Sequence, residues 1–337
     1  MNTADVLRLA ETLLATLVVG LSAIWGAFAL WYRAPGSQAV KALTVFSWAS
    51  LNLAIVFALW QGWIATGTLA FAATLGGLLV WWRRILPSND RVWADDVART
   101  TTGSVDGKRV TLHNVRNFAW RTNTEYTQRW ETRHYDLDRL DSVDMIVSYW
   151  SGRTIAHMLV SFGFDDGQHV AFSVEIRRET TQSFSEIGGF FKEFGLSIIA
   201  ADERDVIRVR TNIRGEDDYL YRIRMPKAAM RSLFIGYIGE ANNLVRTPRF
   251  YNTITVNCTT LAYHIMKRTV GYLPLNYRLL LPGYLPEYVR SVGGLDPRYS
   301  LEELRRWGRI TDRARQSDRS EAFSADIRRG IPKIDPS

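Results

Sequence analysis

The single cysteine of the chain, Cys258, lies where the sequence predicts the start of a helix. Asn257 is a favourable N-cap residue, and Cys258, Leu261 and Ile265 fall on one helical face, which directs the thiol inward in the first turn. The helix dipole and the free backbone N–H groups of a first turn stabilise a thiolate. A lone cysteine excludes an internal disulfide and a cysteine-based zinc site, so Cys258 is either an inert core residue or a nucleophile.

A predicted β-hairpin over residues 155–177 supplies a base for such a thiol. Its turn is Asp-Asp-Gly at 165–167, and a three-residue loop takes glycine at its left-handed third position. This register places His157 opposite Glu175 on a small polar face, while the other face is wholly apolar. In the alternative register, a two-residue turn at 166–167 would move Glu175 to the apolar face and bury its carboxylate.

These residue types favour acyl chemistry. Cys258 would attack a carbonyl, with His157 as general base and then acid, and Glu175 orienting the imidazole. The Cys258 N–H and the Asn252 amide are the candidate oxyanion donors, with Asn257 positioning the helix start. The alternative for Asn252 is a residue that only forms a turn, and the alternative for His157 is a satisfied sheet histidine. The remaining histidines form no ligand cluster, so the sequence predicts no metal and no cofactor.

Three apolar runs at about 9–31, 42–60 and 63–82 precede these residues, and we predict that they anchor the chain in a membrane. Each is long enough to cross a bilayer core of ~30 Å. Tryptophans lie mostly near the ends of the runs, and Arg83 and Arg84 end the third. A cleaved signal peptide is the alternative for the first run, but its apolar core is too long and lacks a cleavage pattern. A buried hairpin of a soluble protein is the alternative for the other two.

Charge is distributed unevenly between anchor and remainder. The first 92 residues hold six Lys/Arg and three Asp/Glu, of 42 and 34 in the whole chain. We therefore predict an anchor over 1–86, an α+β globular domain over 87–310 and a charged, mobile tail over 311–337. A strand is expected at 206–211. The net charge of +8 favours anionic lipid headgroups. No basic run is interleaved with aromatics, so we expect no nucleic-acid partner.

The charges that flank the apolar runs indicate weakly on which side of the membrane the globular domain lies. Arg33, Lys41 and the arginines at 83, 84 and 91 lie on the domain side, against Arg8 and the terminal amine on the other. The positive-inside rule therefore favours a cytoplasmic domain.

The chain resembles the Lnb family of bacterial lipoprotein N-acyltransferases, within the circularly permuted branch of the papain-like NlpC/P60 superfamily. The resemblance spans residues 87–310 and rests on ordered motifs at 87–91, 113–118, 156–157 with 161–162, 173–179, 202–205, 251–253 and 257–259. It implies a permuted papain-like domain with an antiparallel sheet and a Cys-bearing helix. It also implies a multi-pass protein of the bacterial inner membrane whose catalytic domain is periplasmic, and we follow it over the charge count.

The resemblance implies a thioester on Cys258 with a fatty acyl chain from a phospholipid or other membrane lipid. The acceptor would be the α-amine of a lipoprotein's N-terminal cysteine. A cysteine peptidase or amidase acting on cell-wall peptide is the alternative activity. The alternative that is not an enzyme is a non-catalytic membrane scaffold.

Overall fold

The computed structural model describes residues 3–334, and the chain divides into two compact units. The first comprises the chain up to Ser88 together with Ser185–Glu193. The second comprises Asn89–Phe184 and the chain from Phe194 onward. The first unit thus includes nine residues from the middle of the globular sequence. We call Ser185–Glu193 the excursion.

The first unit contains three helices, α1 (Thr3–Arg33), α2 (Gln38–Trp60) and α3 (Ile64–Arg84). Each is long and apolar enough to cross a membrane, and most of its surface is exposed. That exposure suits a lipid environment and would be unfavourable in water. The predicted three helices are therefore present.

Small residues and aromatic contacts hold the first unit together. Gly26 has Trp48 and Leu78 directly over its Cα, where a side chain would not fit, as is typical of membrane helix packing. In the excursion, Phe191 stacks on Phe28 of α1, with ring centroids 5.4 Å apart. Lys192 Nζ donates to the Trp82 carbonyl of α3 at 2.8 Å.

The second unit is built on an eight-stranded sheet in the order β1-β2-β9-β8-β7-β6-β10, with β5 also paired to β2. All pairings are antiparallel except a short parallel contact of β2 with β9. A separate hairpin joins β3 and β4. The strands are β1 (Thr102–Asp106), β2 (Arg109–Arg116), β3 (Ala119–Trp120), β4 (Tyr126–Thr127), β5 (Trp130–Asp136), β6 (Leu140–Ser151), β7 (Ile155–Phe164), β8 (His169–Arg177), β9 (Gly195–Ala201) and β10 (Asp217–Arg222).

Helices cover both faces of this sheet. The larger core lies on the face covered by the middle helices, and the smaller core lies on the other face under the C-terminal ones. The α+β prediction is confirmed. The helices are α4 (Glu203–Val206), α5 (Lys227–Arg246), α6 (Cys258–Val270), α7 (Leu285–Ser291), α8 (Leu301–Gly308), α9 (Thr311–Gln316) and α10 (Phe323–Asp326).

The segment after residue 310 belongs to the domain. Ala314, Phe323 and Ile327 are fully buried in the smaller core, and Arg328 pairs with the buried carboxylates of Asp144 and Glu203. The prediction of a separate mobile tail was therefore wrong for 311–334; residues 335–337 lie outside the described residues. The charge-rich composition concealed a few apolar residues that are enough to cover one sheet face.

The strand predicted at 206–211 was also wrong. Asp202 accepts a hydrogen bond from Arg204 N at 2.8 Å and starts α4, and a π-helical turn follows at Val209–Arg214. The β-branched residues that favoured a strand here instead pack in the cores as part of helical turns. This turn carries Arg210 toward the candidate site.

Candidate active site

Cys258 is the first residue of α6, as predicted, and is buried. Asn257 caps the helix: its Oδ1 accepts from Thr259 N and Thr260 N at 3.0 and 2.9 Å. The Thr260 hydroxyl accepts from Asn257 N at 2.9 Å, and Asn257 Nδ2 donates to the Thr253 carbonyl at 2.7 Å. Both ends of the Asn257 amide are therefore committed to positioning the helix start.

The hairpin has the predicted three-residue register. Leu159 pairs with Ser173 and Gly163 with His169, and Gly167 has a φ of 85° in the turn. The ladder stops at Leu159–Ser173, although β7 begins earlier and β8 continues to Arg177. The two strands therefore separate at the level of His157 and Glu175.

The thiol reaches this opening. Helix α6 packs against both β7 and β8, and the Cys258 thiol lies close enough to the His157 imidazole for each group to shift the pKa of the other. The Met158 N–H also lowers the pKa of this thiol. Cys258 belongs to the larger core, whereas His157 lies on the face of β7 that carries Leu159 of the smaller core. The two side chains approach each other where β7 and β8 are no longer paired.

A hydroxyl lies between the imidazole and the carboxylate. Ser173 Oγ is 2.7 Å from His157 Nε2 and donates to Glu175 Oε1 at 2.6 Å. The direct distance from His157 Nε2 to Glu175 Oε1 is 3.4 Å. The structure brings together all three predicted residues and adds Ser173.

The electrostatics favour an ion pair. Burial and the Arg210 guanidinium disfavour the imidazolium, but Glu175 and the thiolate outweigh them and raise the pKa of His157 to about 9. Burial alone would raise the pKa of the Cys258 thiol; His157 and the hydrogen bond from Met158 N–H lower it below its usual value. The pKa of Glu175 lies well below its usual range despite burial, chiefly because of His157. Both shifts favour a thiolate–imidazolium pair, and such a pair suits nucleophilic chemistry.

Arg210 extends the site in a way that sequence reasoning missed. Its Nη2 donates to Glu175 Oε1 at 3.2 Å, and its Nη1 donates to Glu216 Oε2 at 3.0 Å. Ser148, the register partner of His157, donates to the same Glu216 oxygen at 2.5 Å. The buried guanidinium keeps Glu175 ionised and fixed. No local signal marked Arg210, because it lies in a π-helical turn that the pattern indicated as a strand.

Asn252 forms a turn. Its Oδ1 accepts from Ile254 N at 3.1 Å and from Thr255 N at 2.9 Å, and its backbone pairs with Val256. The turn uses only the carbonyl end of the side chain. A role of the Asn252 amide as oxyanion donor stays a prediction.

An apolar groove adjoins the thiol. Its volume is about 520 Å³, within the usual range of small-molecule sites. Two of its lining residues lie beside the site: Thr259, whose Oγ1 is 3.8 Å from the Cys258 sulfur, and Met158, the neighbour of His157 on β7. The other lining side chains are mostly apolar and include Val143, Met145, Val160, Leu233, Ala262, Tyr263, Met266, Leu273, Leu279, Leu285 and Val289.

Replacing Ser173 with alanine is expected to slow alkylation of Cys258 at pH 7 by roughly tenfold, because hydrogen bonds to charged groups contribute about 1.5–3 kcal/mol. Without the Ser173 hydroxyl, the protonated form of His157 is less stable, and the pKa of the thiol therefore rises. The measurement is the iodoacetamide rate against pH. Ser197→Ala is the matched control, since Ser197 lies opposite Glu175 and its hydroxyl has no partner among residues 3–334. Equal rates in the two variants would contradict the role of Ser173.

Comparison with known proteins gives one family match. Residues 126–283 match the model of a family described as the Lnb N-terminal periplasmic domain. The match covers β5 to β10, α5 and α6, and so includes His157, Glu175 and Cys258. No curated protein and no solved structure matches the chain. The family description and the three apolar helices fit a membrane protein with a periplasmic domain, against the count of flanking charges. Residues 126–283 therefore form a region that is similar to the Lnb N-terminal periplasmic domain, and this match supports the Lnb-type family.

Proposed function

We propose that this chain is a membrane-bound thiol acyltransferase with Cys258 as nucleophile, His157 as general acid–base and Glu175 as the residue that orients the imidazole. The observation that carries the proposal is the apolar groove beside Cys258, whose wall includes Thr259, with Oγ1 3.8 Å from the Cys258 sulfur, and Met158, the neighbour of His157. A fatty acyl chain in that groove would bring its carbonyl carbon to the thiolate.

The first half-reaction moves the acyl group to the enzyme. The thiolate attacks the ester carbonyl of a phospholipid or other acyl lipid, a carbon–sulfur bond forms and the ester carbon–oxygen bond breaks. His157 gives its proton to the departing lipid oxygen, leaving a thioester and a neutral imidazole. The Cys258 N–H, in the first turn of α6, is one donor to the oxyanion, and the Asn252 amide is the proposed second.

The second half-reaction moves the acyl group to an amine. The α-amine of a lipoprotein's N-terminal cysteine attacks the thioester, and an amide forms as the carbon–sulfur bond breaks. His157 takes the proton from the amine, and the thiolate–imidazolium pair is restored. No cofactor or metal enters either step.

The setting follows from the same elements. We propose that α1 to α3 make the chain a multi-pass protein of the bacterial inner membrane with its catalytic domain in the periplasm. The domain would be a permuted papain-like fold, in which the Cys-bearing helix meets a His-bearing strand. A peptidase acting on cell-wall peptide is less suited to this site, because a polar peptide would gain little from an apolar wall.

The test is the acyl–enzyme itself. After incubation with phosphatidylethanolamine and phosphatidylglycerol vesicles, the intact mass of the wild-type chain should increase by one fatty acyl group that neutral hydroxylamine removes. Cys258→Ala should gain no such mass and should fail to acylate a reporter lipoprotein with a free N-terminal amine. Normal acylation of the reporter by Cys258→Ala would overturn the proposal.

A groove variant separates acyl binding from thiol chemistry in the same assay. Ala262 lies on α6 and lines the groove, so Ala262→Trp should reduce acylation by long-chain donors more than by a butyryl thioester. Val245→Trp is the matched control, because Val245 is exposed on α5 and outside the groove. An unchanged chain-length preference in Ala262→Trp would argue against the groove as the acyl site.

A further inference from the structure

The segment between α6 and α7 exposes an unusual concentration of large apolar side chains. We call residues 270–281 the strap. Six of its side chains are exposed: Val270, Tyr272, Leu275, Tyr277, Leu280 and Leu281. Elsewhere in the described part of the second unit, exposed large hydrophobic residues are scattered singly along the sequence. A contiguous exposed apolar segment is typical of an interaction surface.

The strap is held in place. Gly271 ends α6 with a φ of 84°, a conformation that favours glycine. The Tyr263 and Tyr288 hydroxyls donate to the carbonyls of Leu273 and Pro274, both at 2.9 Å. Asn276 accepts from Arg278 N at 3.0 Å and starts a short 3₁₀ turn. The exposed side chains are therefore presented by a fixed backbone.

The strap borders the groove. Leu273 and Leu279 line the groove from inside, while Val270 and Tyr272 line it and are also exposed at the surface. Tyr272 is 81% exposed, so the groove opens to the outside at this residue. An apolar path thus runs from the protein surface to the neighbourhood of the thiol.

Basic residues predominate in the sequence around the strap, although Arg249 and Arg268 pair with Glu240. Residues 241–286 contain no Asp or Glu and five Lys or Arg. Arg278 lies within the strap, and Lys267 and Arg268 lie in the last turn of α6. Basic side chains beside tyrosines and leucines are the composition found at the boundary between lipid headgroups and acyl chains.

We propose that the strap is a lipid-access surface: it inserts its apolar side chains into the headgroup–acyl boundary of a bilayer and lets an acyl chain pass from there into the groove. The insertion stands on the strap's own exposure and charge. The passage of the acyl chain rests on the proposed acyltransferase function.

Insertion is tested on the full chain. Cys258→Ala removes the only cysteine, so Leu275→Cys in that background takes a single NBD label. In nanodiscs of phosphatidylcholine and phosphatidylglycerol, we expect a blue-shifted emission that nitroxides on the lipid acyl chains quench. Val105→Cys, at another exposed apolar position, is the control and should stay unquenched. An unquenched Leu275 probe, or equal quenching at both positions, would overturn the proposal.

Passage is tested with Leu275→Asp in the chain that keeps Cys258. Leu275 is 81% exposed, so this variant is expected to fold. The ratio of Cys258 acylation by vesicle lipid to acylation by a soluble butyryl thioester should fall about tenfold or more, because a charge at this boundary is costly. An unchanged ratio would overturn lipid access. If the wild type is acylated by neither donor, the acyltransferase function fails, and the quenching result still decides insertion.

Discussion

Replacing His157 with alanine is expected to lower the rate of acyl transfer by about 10²–10⁴-fold, the usual contribution of a general acid–base residue. The imidazole has the largest effect among the groups that lower the pKa of the thiol against burial. The variant therefore loses both the proton acceptor and the stabilised thiolate. The measurement is the rate of reporter acylation by purified chain in nanodiscs.

The pH dependence of the same variant gives a second readout. In the wild type, the ion pair exists from the lowered pKa of the thiol up to about 9, where His157 loses its proton. Alkylation should be nearly independent of pH inside that window. In His157→Ala, burial raises the pKa of the thiol and is opposed only by the weaker effects of the Met158 N–H and the Thr259 hydroxyl, so alkylation should increase only at a higher pH than in the wild type.

His169 supplies the matched control for both measurements. It lies on the same hairpin, near the turn, and its Nδ1 is 3.0 Å from the Gly167 carbonyl. His169→Ala should leave the transfer rate and the alkylation profile close to wild type. A loss as large as that of His157→Ala would mean that the hairpin tolerates no histidine substitution, and the assigned role of His157 would fail.

Replacing Arg328 with alanine is expected to destabilise the second unit by about 3–5 kcal/mol, the usual cost of leaving a buried charge unpaired. Arg328 donates to Glu203 at 2.6 and 2.7 Å and to Asp144 at 2.9 Å, and both carboxylates are fully buried. The measurement is the thermal midpoint of tryptophan fluorescence in detergent.

Arg329 is the control for this loss. It neighbours Arg328, but its side chain is 76% exposed and pairs only with Asp326 nearby in sequence. Arg329→Ala should change stability by no more than about 0.5 kcal/mol, as surface substitutions usually do. Equal midpoints for the two variants would contradict the packing of the C-terminal segment.

The Arg328 effect has a defined pH range. Arg328 lowers the pKa of Glu203 to about 2 against the effect of burial. The carboxylate therefore contributes stability above its unfolded pKa, and that contribution is lost as the pH falls through about 2. The difference between wild type and Arg328→Ala should persist at pH 5 and shrink toward pH 2.

Local patterns determined much of the fold. The three apolar runs gave the three long helices, because about 20 apolar residues in a row leave few alternatives. The Asp-Asp-Gly turn gave the register of the β7–β8 hairpin, since only glycine readily takes the left-handed position. Asn257 gave the start of α6. The C-terminal segment was misread because its few apolar residues are spread among charges and become a core only against the sheet.

The sequence by itself determined which thiol, imidazole and carboxylate were candidates, and it aligned His157 with Glu175 across one hairpin. Only the tertiary structure decided that Cys258, about 100 residues further along the chain, reaches the histidine at a point where β7 and β8 separate. It also decided that Ser173 lies between the imidazole and the carboxylate, and that Arg210 donates a hydrogen bond to the same carboxylate. Hairpin register and helix caps are set by neighbours in sequence. The meeting of a helix start with an opening in a sheet depends on how whole elements pack.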